Sequence, residues 1–184
     1  DHLDVHRSID EYVVAKTNIT RFQTTDDIVI YHPTNPFSKQ IAFAGSGRKI
    51  RYGVAEDGGV YVKSDKFFVQ NNPICSVGTL QVVGQHNIEN ACAAITAALS
   101  YDKNISKQSI EKGLADFGGL PHRLKFVAEV DGVEYYDDSI ATTPGSAIAA
   151  IKSFDEPKII ILGGSEKGAT YDEIVEKYVE MNIA

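Results

Sequence analysis

Two adjacent glycines, Gly118 and Gly119, divide the chain into stretches with different hydrophobic patterns. Just before them, Ser106 opens a run that carries Ile110, Leu114 and Phe117 at helical spacing. Glycine readily takes the left-handed backbone that closes a helix, so this helix should stop at the pair. A domain boundary is expected there, with residues 1–119 in one domain and 120–184 in the next. At 184 residues the chain could also be one large domain, and either arrangement can bury a real core.

The first stretch begins with Ser8-Ile9-Asp10-Glu11, a capping box in which Ser8 caps the helix and Glu11 reaches back to it. The helix should run to about Phe22, with Ile9, Tyr12, Val13, Ile19 and Thr20 on one face. From about Asp27 to Gly84 the pattern becomes short β-rich pieces, expected at 28–31, 40–44, 49–54, 60–62, 67–69 and 78–83. Pro33, Pro36, Gly45, Gly47, Asp57-Gly58-Gly59 and Asn71-Asn72-Pro73 supply the breaks. Residues 87–101 form a strongly periodic helix that should bury Ile88, Ala91, Cys92, Ile95 and Leu99.

The second stretch reads as α/β. Strands at 124–130 and 133–136 flank Asp131-Gly132, a two-residue hairpin signal. Thr143 as cap and Pro144 at the first helical position start a helix with Ala147, Ile148, Ile151 and Phe154 facing inward. Residues 158–162 read as a strand buried on both faces, which favours a parallel sheet. Gly163-Gly164 turns the chain, and Thr170-Tyr171-Asp172-Glu173 is a second capping box opening a last helix.

Composition narrows the function classes. A net charge of −7 argues against a nucleic-acid partner, which needs clustered Lys and Arg, but leaves room for an anionic small ligand held by local positive potential. No apolar run approaches the roughly 18–20 residues of a membrane span. Cys75 and Cys92 form no disulfide framework and lack metal-ligand spacing, so a reducing cytoplasm is expected. Asp1-His2-Leu3-Asp4 is neither a signal peptide nor an initiator region, and the expectation is a piece of a longer enzyme.

Several residues could carry chemistry. Lys16, four residues after Tyr12 and three before Ile19, falls on the apolar stripe of the first helix. It is either a lysine snorkelling its ammonium into solvent or a partly buried amine able to react with carbon dioxide and give an anionic carbamate. His2 among carboxylates could ligate a divalent metal. Asn87 and Asn90 share a face of a first helical turn, where asparagine caps well. His122-Arg123 follows the glycine break, where ligand sites concentrate, and an arginine there can clamp phosphates. Asp138 ends a strand and Thr142 precedes a helix, so both should project at a carboxyl edge of the sheet. Lys167 follows Gly163-Gly164, but Gly-x-x-x-x-Gly-Lys-[Ser/Thr] is satisfied neither there nor at Gly45–Lys49.

Five ordered motifs together resemble the ATP-dependent Mur ligases of peptidoglycan synthesis, and within them the branch that adds D-glutamate. They are Asp1-His2-Leu3-Asp4, Ala15-Lys16, Gly84-x-His86-Asn87-x-x-Asn90, Leu120-Pro121-His122-Arg123 and Asp138-Ser139-x-Ala141-Thr142. The resemblance runs from Asp1 to about Tyr171. It implies an α/β chain: the rear of a central ATP-binding domain, β-rich with helices, then the front of a Rossmann-like, amino-acid-binding C-terminal domain. It implies ATP and Mg²⁺ as cofactors and UDP-N-acetylmuramoyl-L-alanine and D-glutamate as substrates. The parent would be a monomeric cytoplasmic enzyme with no membrane or nucleic-acid partner.

By the same resemblance, His2 and a carbamylated Lys16 hold magnesium and serve catalysis. Asn87 and Asn90 lie against adenine and ribose, and His122, Arg123 and Asp138 join them on the nucleotide. Ser139, Thr142 and Lys167 face substrate, with Lys167 on the D-glutamate carboxylate. Two positions depart from the pattern, Ile140 standing where the family has lysine and Thr143 where it has asparagine. The implied chemistry activates a carboxylate as an acyl phosphate, which the amine of D-glutamate then displaces. Without a phosphate loop, the 184 residues are expected to be inactive alone. The alternatives are another Mur-type ligase, including the folylpolyglutamate synthases, or a non-catalytic nucleotide-binding module.

Overall fold

The computed structural model describes residues 5–55, 58–164 and 172–180. The chain falls into two compact units, Asp1–Gln81 with Ile88–Phe117, and Val82–Asn87 with Gly118–Ala184.

In the first unit, α1 (Ile9–Arg21) is capped by Ser8, whose Oγ accepts from the Glu11 N–H at 3.1 Å. Glu11 closes the reciprocal half of the box one residue early, taking the Arg7 N–H at 2.7 Å. β1 (Ile28–Tyr31) and β2 (Arg48–Arg51) pair in parallel, joined through α2 (Pro36–Phe43). The strand expected at 40–44 is therefore the second half of a helix. Asn35 caps it through the Ser38 N–H at 2.9 Å, and Pro36 is a helix-starting proline, its fixed φ suiting the first turn.

Thr20, fully buried, docks α1 on α2 by donating its hydroxyl to the Ile41 carbonyl at 2.7 Å. The backbones meet so closely that a Cβ on Gly45 would stand 2.1 Å from the Thr20 carbonyl oxygen. The inward stripe of α1 runs through Val13 and Thr20, while Ile9 and Ile19 are exposed.

β3 (Tyr61–Lys63), β4 (Lys66–Val69) and β5 (Asn72–Ser76) form an antiparallel meander. Both turns use paired left-handed residues, Ser64-Asp65 and Gln70-Asn71, whose twist matches that of the strands. The break expected at Asn71-Asn72-Pro73 is thus the start of β5. This is an edge strand, where a proline without an N–H is tolerated. Residues 78–83 contain no strand; a single 3-10 turn, Val77–Thr79, stands there.

α3 (Gln85–Tyr101) and α4 (Lys107–Asp116) complete the unit, with Ser106 capping α4. Val60, Phe67 and Cys75 pack with Ala91, Cys92, Ile95 and Ile110 as the core. Burial pushes the Cys92 thiol up to about 12, with Glu89 adding to it, so this cysteine is an inert packing group. α4 ends on Phe117 in an extended conformation, and the left-handed glycine comes two residues later at Gly119. Phe117 therefore leaves the helical stripe and is exposed.

Thr96 ties the meander to α3. Its Oγ1 accepts the Val60 N–H at 2.8 Å and donates to the Cys92 carbonyl at 2.6 Å, both within the buried interior. Thr96→Val keeps the shape but strands the Val60 N–H, so it should cost about 1–3 kcal/mol in urea unfolding. A loss below a few tenths would show that this bond contributes nothing.

In the second unit, β6 (Lys125–Val130) and β7 (Val133–Asp137) form an antiparallel hairpin turned by left-handed Asp131 and Gly132. α5 (Pro144–Ile151) starts at Thr143, in a capping box completed by Ser146, and packs against α6 (Asp172–Glu180). Ile151 is buried, and Phe154, beyond the helix end, packs 4.6 Å from the Tyr136 ring. The strand expected at 158–162 is not formed: Ile159 is 83% and Ile161 95% exposed. β6 and β7 pair only with each other among the described residues, so the run has no ladder to join, and apolar content alone does not make a strand. The capping box at Thr170-Tyr171 lies outside the described residues. Among the described residues no helix is long and apolar enough to cross a membrane.

Candidate functional site

The second unit concentrates its polar chemistry where the start of β6 meets the end of β7. Residues 122–124 make a turn with two non-glycine residues in the left-handed region, His122 at φ 63° and Leu124 at φ 42°. Bulky side chains rarely adopt this conformation, and it persists only where surrounding bonds impose it. Here the His122 carbonyl accepts the Ile140 N–H at 3.1 Å, and the Leu124 N–H donates to Asp138 Oδ1 at 2.9 Å. Arg123 lies between these two anchors. Its exposed guanidinium makes no ion pair with any described residue.

His122 donates from Nδ1 to Asp137 Oδ2 at 2.7 Å. Asp137 also accepts the Ser139 N–H on Oδ1 at 3.0 Å. The Ser139 backbone and side chain, then the His122 ring, hold the Asp137 carboxyl below its ordinary range. A carboxyl lowered in the folded state contributes stability above its unfolded pKa, and that contribution is lost as pH falls through the lowered value. The Asp137 side-chain ¹³C shift should therefore titrate below the roughly 3.9 of an unpaired aspartate. A midpoint at or above that value would contradict the pairing.

The structure thus brings His122, Asp138, Ser139 and Ile140 around one turn, and adds Asp137, which sequence reasoning missed. The strand was read as ending at Asp138, whereas β7 ends at Asp137. The acidic doublet Asp137-Asp138 was the available signal. The expected hairpin is formed, and Asp138 and Thr142 follow the end of its second strand. Asp138 uses one oxygen on Leu124, and exposed Thr142 donates its N–H to the Ile140 carbonyl at 2.9 Å.

At the start of α3, Asn87 donates Nδ2–H to the Val83 carbonyl at 2.7 Å and its backbone N–H to Gly84 at 3.0 Å. Gly84 has φ 96°, and a Cβ there would meet Ser153 Oγ at 2.4 Å, so only glycine fits. Asn90, one turn on, is exposed.

Lys16, in the first unit, is exposed rather than on the buried stripe, which passes through Val13 and Thr20. Its Nζ lies 5.3 Å from the centroid of the Tyr12 ring, which also packs 5.3 Å from His6. Val5, His6, Tyr12, Ala15 and Lys16 line an open hollow of about 330 Å³. His2 and Lys167 lie outside the described residues. Among the described residues, no group of three or more His, Cys, Asp or Glu could hold a metal ion.

A family model described as the Mur ligase middle domain matches residues 1–98, more than half of the 184. The chain belongs to the Mur ligase family. A second model, "Mur ligase, glutamate ligase domain", matches residues 122–183, beginning at His122. The chain is 35% identical over 176 residues, 95% of its length, to a UDP-N-acetylmuramoylalanine--D-glutamate ligase of Clostridium perfringens, and covers 38% of that protein. It is 34% identical over 179 residues to the Clostridium novyi protein of the same name, again covering 38% of it. Against MurF from Acinetobacter baumannii the TM-score is 0.67 at 25% identity, over 86% of this chain and 36% of that one. A Lactobacillus casei FPGS structure superposes with TM-score 0.68 at 20% identity, over 96% of this chain and 46% of that one, a likeness of fold alone. The expected mixed α/β Mur-ligase fold is therefore found. This Mur ligase chain spans well under half the length of the curated relatives it matches.

Proposed function

We propose that the whole protein joins D-glutamate to UDP-N-acetylmuramoyl-L-alanine using ATP. In this reading residues 1–119 are the rear of its ATP-binding domain and 120–184 the front of its amino-acid-binding domain. The observation that carries the reading is that relatives bearing that name match 95% and 96% of this chain at 35% and 34% identity. The pinned turn at Arg123 supplies the chemistry. Transfer of a phosphoryl group to a carboxylate gathers negative charge, and an exposed guanidinium on a tied turn, with no ion partner among the described residues, is available to offset it. Asn87, held at the start of α3, and Asn90 are assigned to the nucleoside, with His122 and Asp138 beside Arg123. Ser139, Thr142 and Lys167 are assigned to substrate.

Magnesium enters as the counter-ion ATP brings, with His2 and a carbamylated Lys16 proposed as its protein ligands. Turnover is assigned to the whole protein, since no Gly-x-x-x-x-Gly-Lys-[Ser/Thr] run occurs within these 184 residues. Lys167, matching the family's Gly-Gly-x-x-Lys, is assigned the carboxylate of the incoming amino acid, while Ile140, 51% exposed, puts an apolar side chain where the family carries a cation.

The test is an amino-acid competition with the full-length protein, UDP-N-acetylmuramoyl-L-alanine and ATP, following ADP release. Preference for D-glutamate supports the reading. Preference for L-lysine, meso-diaminopimelate or a dipeptide, or no ADP release with any of them, overturns it.

A further inference from the structure

The His122–Asp137 pair carries an inference beyond nucleotide contact, and it rests on that reading of Arg123. Asp137 Oδ2 lies 2.7 Å from His122 Nδ1. An ionised carboxylate only accepts, so Nδ1 carries the proton, and Nε2 is the ring nitrogen left for a ligand. The ring belongs to a residue at φ 63°, two positions before Leu124 at φ 42°. His122 is thus held at its ring by Asp137 and at its carbonyl by Ile140, while Asp138 holds Leu124. Arg123 is the one residue between the tied positions, so its direction follows from how firmly they are held.

We propose that Asp137 is a positioning residue for nucleotide binding: acting through His122, it fixes the ring's tautomer and the left-handed turn that presents Arg123. The alternative, that Asp137 is merely a solvated carboxylate near an anion site, predicts an effect of opposite sign. Removing a negative charge beside a phosphate site should tighten ATP binding, whereas removing a positioning group should weaken it.

The experiment measures Mg-ATP affinity of the full-length protein by calorimetry, with His122 ring ¹⁵N and ¹³C shifts read alongside. Asp137→Ala should weaken binding about fivefold and release His122 from the Nδ1–H tautomer. Asp137→Asn, which keeps an acceptor for Nδ1–H, should retain the tautomer and most of the affinity. In a His122→Asn background, whose asparagine tolerates the left-handed backbone, Asp137→Ala should add no further loss. Unchanged or tighter binding in Asp137→Ala, an unaltered ring tautomer, or the full fivefold loss persisting in His122→Asn would each overturn the proposal. Failure of the underlying reading looks different: the unaltered full-length protein does not bind Mg-ATP, or its Arg123→Ala variant binds it equally well.

Discussion

Arg123→Ala should weaken Mg-ATP binding to the full-length protein by roughly one to two orders of magnitude, the largest binding effect expected of any single side chain described. A charge-assisted hydrogen bond to a phosphate contributes about 1.5–3 kcal/mol, and each 1.4 kcal/mol is tenfold in affinity. Arg123 is the candidate for that contact because its backbone is held on both sides while its guanidinium has no ion partner among the described residues. Arg123→Lys separates charge from geometry. It keeps the positive charge and loses the planar fork, so its affinity should fall between those of the arginine and alanine chains. If lysine matched arginine, binding would be a matter of local potential alone. If alanine matched both, the turn would not be the nucleotide grip.

Phe67→Ala should remove about 3–5 kcal/mol from the first unit, the largest stability effect expected. Phe67 is fully buried on the central strand of the β3–β4–β5 meander and sits in the same core as Cys92, Ile95 and Ile110 of the following helices. Truncation removes the aromatic ring from between sheet and helices, where packed backbone limits collapse around the cavity. Because the chain has two compact units, the loss should be read by hydrogen exchange resolved on each unit rather than from one global transition. Amides of α3 should exchange faster by the corresponding factor while those of β6 and β7 keep their rates. A loss under 1 kcal/mol, or an equal loss in both units, would contradict this account of the core.

What the sequence made legible was mostly local. Ser8, Ser106 and Thr143 were readable as caps because a cap needs only its own side chain and the next turn's N–H groups. Asp131-Gly132 was readable because its two left-handed residues decide the hairpin. Elements that depend on a distant partner were misread. The run 158–162 has strand composition but no ladder among the described residues, and Asn72-Pro73, read as part of a break, open a strand that pairs with β4. At 36–43 the signal was local: Pro36, read as a break, starts a helix that Asn35 caps.

The site divided the same way. His122, Arg123 and Asp138 stood out by order and spacing, and the structure gathers them around one turn. Asp137 did not stand out, because its role lies in a contact fifteen residues back in the chain. Lys16 was assigned to the buried side of α1 by counting from Ile9 and Ile19, two isoleucines that are themselves exposed. The phase of that stripe is set by where Thr20 meets α2, which spacing alone does not reveal.

The central claim, that the turn at 122–124 and the start of α3 hold a nucleotide, is tested most directly by following backbone amide shifts as Mg-ATP is added to the full-length protein. Saturable shifts are expected at His122, Arg123, Leu124 and Asn87, moved to about ten- to a hundredfold higher Mg-ATP in Arg123→Ala, with the amides of β3 to β5 unmoved. Saturable shifts confined to residues away from 84–90 and 120–142, or no shifts at millimolar Mg-ATP, would contradict it.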